Sequence, residues 1–120
     1  MYMNDDLDMI SFEIIADAGD SRRLAEQAWT SAQNKDFEGA RKLLEESRQA
    51  FDQAHRKQTD LLFSEMNGSH KKVSVLLLHS QDQLMNAQTV VELMGRLVEL
   101  LDRQDELEKR VEKLERGQTK

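Results

Sequence analysis

Cysteine and proline are absent from this 120-residue chain, and glycine occurs only five times. Without cysteine there is no disulfide framework, no thiol nucleophile and no thiolate metal site, and nothing else in the sequence calls for an oxidising compartment. With helix breakers nearly missing and Ala, Leu, Glu, Lys, Arg, Gln and Met abundant, the composition points to an all-α fold. Long apolar runs are missing too. The longest uninterrupted aliphatic stretch is residues 75–78, far short of the roughly 20 residues a membrane-spanning helix needs. The acidic N-terminal segment does not resemble a secretory signal. Positive charge is in deficit: a formal net charge of −6 works against binding to nucleic acid or to an anionic membrane, and suits a basic partner. The expectation is a cytoplasmic protein of one compact domain, with no nucleic-acid partner and no direct membrane insertion.

Two turn signals divide the chain into three helical segments. In Asn34-Lys35-Asp36, Asn34 can close one helix and Asp36 can cap the next; Asn67-Gly68-Ser69-His70 supplies a glycine for a left-handed helix end. Short connections between long helices predict an antiparallel three-helix bundle. The first helix is expected over residues 6–33, with an apolar stripe through Leu7, Ile10, Ile14, Leu24 and Ala28 and a weak middle at residues 17–20. The second, over residues 37–66, has a cleaner stripe at spacings of three and four: Phe37, Ala40, Leu44, Ser47, Phe51, Ala54, Gln58 and Leu61.

The third helix is apolar on two sides. Leu76, Val90, Leu93, Leu97 and Leu100 form one line, and Leu77, Leu84, Val91 and Val98 another. Helices 1 and 2 can cover only one of these, so the other is expected to meet further copies of the chain. Past residue 103 the background becomes highly charged, while Leu100, Gln104, Leu107, Val111 and Leu114 keep the three/four alternation and Glu106 and Arg110 are spaced as a helical ion pair. The chain therefore divides into a helical domain over 1–103 and, over 104–120, a short coiled-coil extension or a solvated tail.

Asp82 is the only charged residue among positions 73–91. His79, Asp82, Gln83 and Asn86 share one helix face, a polar patch on an otherwise apolar element. A carboxylate facing a core or interface is costly unless paired, protonated or metal-bound. By itself the pair admits two readings: a buried imidazole held by its carboxylate, or a reactive histidine.

The run Lys72-Val73-Ser74-Val75-Leu76-Leu77-Leu78-His79-Ser80-Gln81-Asp82-Gln83-Leu84-Met85-Asn86-Ala87 is similar to the active-site stretch of lactose/cellobiose enzymes IIA of the phosphoenolpyruvate-dependent sugar phosphotransferase system, whose pattern is hydrophobic-V-H-A-Q-D-H-L-M. Ile14-Ile15-Ala16-Asp17-Ala18-Gly19-Asp20-Ser21-Arg22 resembles the family's element ending in A-G-x-A-R. Lys35-Asp36-Phe37-Glu38-Gly39-Ala40 resembles its G-D-F-x-x-A turn, and Ala54-His55-Arg56-Lys57-Gln58-Thr59 its A-H-x-x-Q-T. Four motifs in the right order span residues 14–101.

The resemblance implies that His79 accepts a phosphoryl group from the histidine phosphocarrier protein HPr and passes it to a cysteine of enzyme IIB, in concert with a membrane enzyme IIC. Gln81 and Gln83 would be its neighbours at the phosphoryl site. It implies a homotrimer, a nine-helix bundle in which Asp82 from each chain shares one divalent ion, Mg²⁺ by its hardness. Imidazole suits the role, being neutral and nucleophilic near pH 7. No phosphate-cradling glycine loop is present, so the partner is expected to supply part of the positive environment. Two positions depart from the pattern: Gln83 replaces the usual second histidine and cannot become cationic, and Ser80 replaces Ala. His55, in the A-H-x-x-Q-T motif, reads as structural, His70 as a solvated turn residue, and Trp29, Met and Phe as packing. The alternative function is a non-catalytic helical scaffold or regulatory protein derived from the same family. A metal enzyme is remote, since one His and one Asp per chain do not make an all-protein catalytic site.

Overall fold

Helix-forming composition and two short turns give three helices: α1 (Tyr2–Gln33), α2 (Phe37–Met66) and α3 (Val75–Gln118). This computed structural model describes residues 2–68 and 73–118, and among them there is no strand. Gly68 takes the left-handed conformation (φ 93°) after the α2 C-cap Asn67, as expected, whereas Ser69 and His70 lie outside the described residues, as do the last two residues of the expected tail. α1 starts four residues earlier than expected; the bounds of α2 coincide with those read from the sequence.

Neighbouring helices run antiparallel, with residue 21 beside 47, 17 beside 57, 58 beside 81 and 41 beside 102. α1 packs against both other helices, which touch each other much less. Its inward stripe shows why. Leu7, Ser11, Ile14, Ala18, Ser21, Ala25, Ala28 and Ala32 are all buried, in unbroken three/four alternation. Ala18 and Ser21 carry the stripe through the middle of the helix, where large apolar residues are few, because small side chains let α2 and α3 approach its backbone closely. The buried hydroxyls are satisfied: Ser11 donates to the Leu7 carbonyl (2.8 Å), Ser21 to Ala18 (2.8 Å), and Ser47 crosses from α2 to the Ser21 carbonyl (2.6 Å).

The α2 stripe faces inward as expected, with Ala40, Leu44, Ser47 and Ala54 buried and Phe37, Phe51, Gln58 and Leu61 half-buried. On α3 the line through Leu84, Val91 and Val98 is the core face, whereas Leu93, Leu97 and Leu100 are exposed. Among the described residues fifteen large apolar side chains are exposed and only six are buried. A lone chain thus shows water more of its large apolar groups than it hides, and nine of the fifteen are on α3.

The first turn differs from expectation in one residue. Lys35, not Asn34, takes the left-handed position (φ 66°), with its N–H on the Ala32 carbonyl (3.0 Å) and that of Asp36 on Ser31 (2.9 Å). Asp36 does cap α2, its carboxylate accepting from the Gly39 N–H at 3.0 Å. The Lys35 ammonium lies 3.5 Å from Asp105 on α3, which also meets Lys109 at 3.0 Å; Asp105 is buried (7% exposed). Arg41 pairs with Asp102 one turn earlier. These contacts mark the end of the bundle. Beyond Asp105, α3 continues as a single exposed helix to Gln118, giving the molecule a length of 79 Å against a width near 20 Å. Among the described residues no helix is long and apolar enough to cross a membrane.

Candidate functional site

The expected site residues sit near the start of α3. Ser74 opens the helix, its hydroxyl accepting from the Leu77 N–H at 3.1 Å. Ser80, Leu84 and Ala87 then face the core, Ser80 with its hydroxyl on the Leu77 carbonyl (2.6 Å). A small residue at position 80 is therefore required by packing, and Ser fills the place of Ala without leaving a hydroxyl unpaired.

Fixing Ser80 and Leu84 inward turns His79 outward. Its imidazole is exposed, and among the described residues it has no hydrogen-bond or ion-pair partner, Asp82 included. The reading of His79 as a buried ring held by Asp82 is thereby excluded. Asp82 is itself exposed and unpaired among the described residues. It stands on the outward face, one turn from Leu78 and flanked by Met85, both more than half exposed. Asn86 is also exposed and Gln83 half-buried, so these two stay on the side of α3 that carries His79.

Gln81 does not. Two residues along a helix turn a side chain by about 200°, and its amide oxygen instead accepts from the Gln58 amide of α2. Both glutamines belong to family-like motifs, but nothing in their spacing pairs them. Between α2 and the start of α3 lies a hollow of about 220 Å³, bounded by Leu7, Leu61, Leu62, Val73, Leu77 and this amide pair.

The electrostatics are sparse. Among the described helical neighbours of His79 the one charge is Asp82, and no cation lies within a turn on its face. Lys57, also in a family-like motif, reaches across to α1, to Asp17 at 2.7 Å and Glu13 at 3.5 Å. The Asp17 hydrogen bond raises its pKa above the ordinary 10.5, against some loss from burial. It is an interhelix tie. His55, one turn from Phe51, is exposed with its ring stacked on that phenyl (centroids 5.9 Å apart, planes 22°). Among the described residues no group of three His, Asp or Glu could hold a metal within one chain.

What this arrangement can do is present an unencumbered imidazole to a docking partner. The family described as the lactose/cellobiose-specific IIA subunit of the PTS system matches residues 9–102. The lichenan-specific phosphotransferase enzyme IIA component of Bacillus subtilis is 36% identical over 96 residues, covering 80% of this chain and 87% of the relative. Among solved structures, the cellobiose-specific enzyme IIA of Bacillus anthracis superposes with a TM-score of 0.78 at 35% identity, over 81% of this chain and 89% of that one. A chain of the IIA(Chitobiose)–HPr complex of the Escherichia coli phosphotransferase system, N,N'-diacetylchitobiose branch, superposes at 0.73 with 32% identity, over 82% and 96%.

Proposed function

This chain belongs to the lactose/cellobiose-specific IIA family of the sugar phosphotransferase system, and from that premise we propose that it is a phosphoryl carrier that works on His79. The observation that carries the proposal is the exposure of that imidazole, free of any partner among the described residues, inside the stretch that matches the family's active-site pattern.

In the proposed cycle a ring nitrogen of His79 attacks the phosphorus of phosphohistidine on HPr. The donor P–N bond breaks as the new one forms; the donor imidazole leaves with the bonding pair and takes up a proton, while the His79 ring gives up the proton on its other nitrogen. A cysteine thiolate of enzyme IIB then attacks the same phosphorus, and His79 departs with the bonding pair and takes up a proton to become a neutral ring. Such transfers need alignment and charge stabilisation more than covalent help. Among the described residues no cation lies within a turn of His79 on its face, and the donor surface supplies the positive environment, in keeping with the chain's net charge of −6. Gln83, on the same side of α3, can donate an amide hydrogen to a phosphoryl oxygen. Gln81 anchors α3 to α2 through Gln58 and so holds the helix that presents His79. The protein works in the cytoplasm alongside a membrane component that takes the sugar.

Assembly belongs to the same proposal. The exposed apolar line on α3 is buried in a homotrimer, which brings three Asp82 carboxylates onto one face. The residues fit a divalent ion such as Mg²⁺: the donor is a hard oxygen, exposed and otherwise unpaired, and one carboxylate per chain requires several chains to hold the ion. Bound there, the ion neutralises carboxylates that would otherwise repel each other.

Incubation with phosphoenolpyruvate, enzyme I and HPr tests the carrier role. One phosphoryl group per chain is expected, labile in acid and stable in base as a phosphoramidate is. Failure to take it up from an HPr that charges another enzyme IIA in the same tube, and from the HPr of its own organism, would leave the non-catalytic scaffold as the better account.

A further inference from the structure

Residues 103–118 lie beyond the stretch that matches the family, and every residue of this helix from 106 to 118 is exposed. A fully solvated helix of this length is marginal in water, yet this one carries an ordered seam. Leu93, Leu97, Leu100, Gln104, Leu107, Val111 and Leu114 are all exposed and alternate by four and three, the heptad pattern with Leu at every d position and Leu, Gln and Val at a. The seam continues without a break from the outward face of α3 inside the bundle.

The flanks of the seam have a sign pattern. Arg103 and Arg110 occupy g positions, while Glu108 and Glu115 occupy e positions. In a parallel, in-register pairing, g of one chain meets e of the next heptad on its neighbour, which sets Arg103 against Glu108 and Arg110 against Glu115. In an antiparallel pairing g meets g and e meets e, which sets Arg against Arg and Glu against Glu. Gln104 adds a polar layer that is matched only when the chains are level. At the base, Asp105 ties the helix to its own α1–α2 turn through Lys35, so the seam leaves each bundle in a fixed direction.

We infer that residues 103–118 are an interaction surface whose partner is further copies of this chain, joined in parallel and in register as an extension of the α3 interface. The inference does not depend on phosphoryl transfer or on an ion at Asp82. Two heptads are too short to associate alone, so the tail closes once the bundles bring the strands together, and the bundles set the number of strands.

The absence of native cysteine makes the test direct. Gln118→Cys places a thiol at the a position that ends the seam, and Lys113→Cys places one on the outer face; each full-length variant is treated with diamide at micromolar concentration. Parallel strands give rapid disulfide-linked pairs of Gln118→Cys, two of every three chains if the assembly is a trimer, and few of Lys113→Cys. Adding Arg103→Glu and Arg110→Glu to Gln118→Cys should lower the yield several-fold, and adding Glu108→Arg and Glu115→Arg as well should restore it. No linkage at 118, equal linkage at both positions, or a yield indifferent to the charge reversals would overturn the inference. Phosphoryl uptake from HPr is read separately on the same variants. Linkage without uptake removes the carrier proposal alone, and uptake without linkage removes this one alone.

Discussion

Single residues decide how closely these helices approach. The buried face of α1 is built mostly from Ala and Ser, and at such positions added volume has nowhere to go. Ala25, fully buried, is a clean probe. Ala25→Leu should destabilise the fold by about 1–3 kcal/mol through overpacking, read as a lower urea midpoint with an unchanged slope. Asp82 is the opposite case, an exposed side chain on which its neighbours among the described residues make no demand. If three such carboxylates converge, replacing them by apolar groups is neutral or favourable. Asp82→Leu is therefore expected to give a trimer at least as thermally stable as wild type and indifferent to chelators, by light scattering and calorimetry. A monomeric wild type at micromolar concentration would remove the argument.

At the scale of elements, α3 is the most legible part of the sequence and α1 the least. The two apolar lines of α3 separate by residue spacing alone, because Leu and Val mark both and Asp, Glu, Lys and Arg are missing from residues 73–81. On α1 the stripe read from the sequence is buried at Leu7, Ile14 and Ala28 and half-buried at Ile10 and Leu24, whereas Ser11, Ser21 and the other buried alanines carry weak hydropathy, and their burial follows from partners that only the packed bundle supplies. For the same reason Gln81 reads as a site residue although Gln58 turns it away from His79. Asp105 is silent in sequence, one acid in a charged segment, yet it fastens α3 to the α1–α2 turn. The hydrogen bond from Lys109, reinforced by Lys35, holds its carboxyl below the ordinary 3.8 despite the opposing effect of burial. A depressed carboxyl stabilises the fold fully above its unfolded value and loses that contribution as the pH falls through the folded one. Asp105→Asn should thus melt earlier than wild type at pH 7, and the gap between the two should narrow only as the pH falls below the ordinary carboxyl value of 3.8, through the lower folded one. A gap that persists into acid would mean that shape, not charge, is what Asp105 provides.

For the whole molecule, the length of α3 separates two activities. His79 lies some 25 residues before the tail begins, roughly 37 Å along a continuous helix, so the reacting end and the extended end should be independent. A chain ending at residue 103 is expected to melt a few degrees lower and to accept phosphoryl groups from HPr at an unchanged rate; abolished transfer would make the tail part of the docking surface. The central claim, that this protein carries a phosphoryl group on His79, is tested most directly by mapping the modified residue after charging with phosphoenolpyruvate, enzyme I and HPr. Intact mass should show one phosphoryl group on wild type, His55→Ala and His70→Ala and none on His79→Ala, with Gln83→His changing the rate but not the site. A phosphoryl group retained by His79→Ala, or found on any other residue of the wild type, would contradict the account.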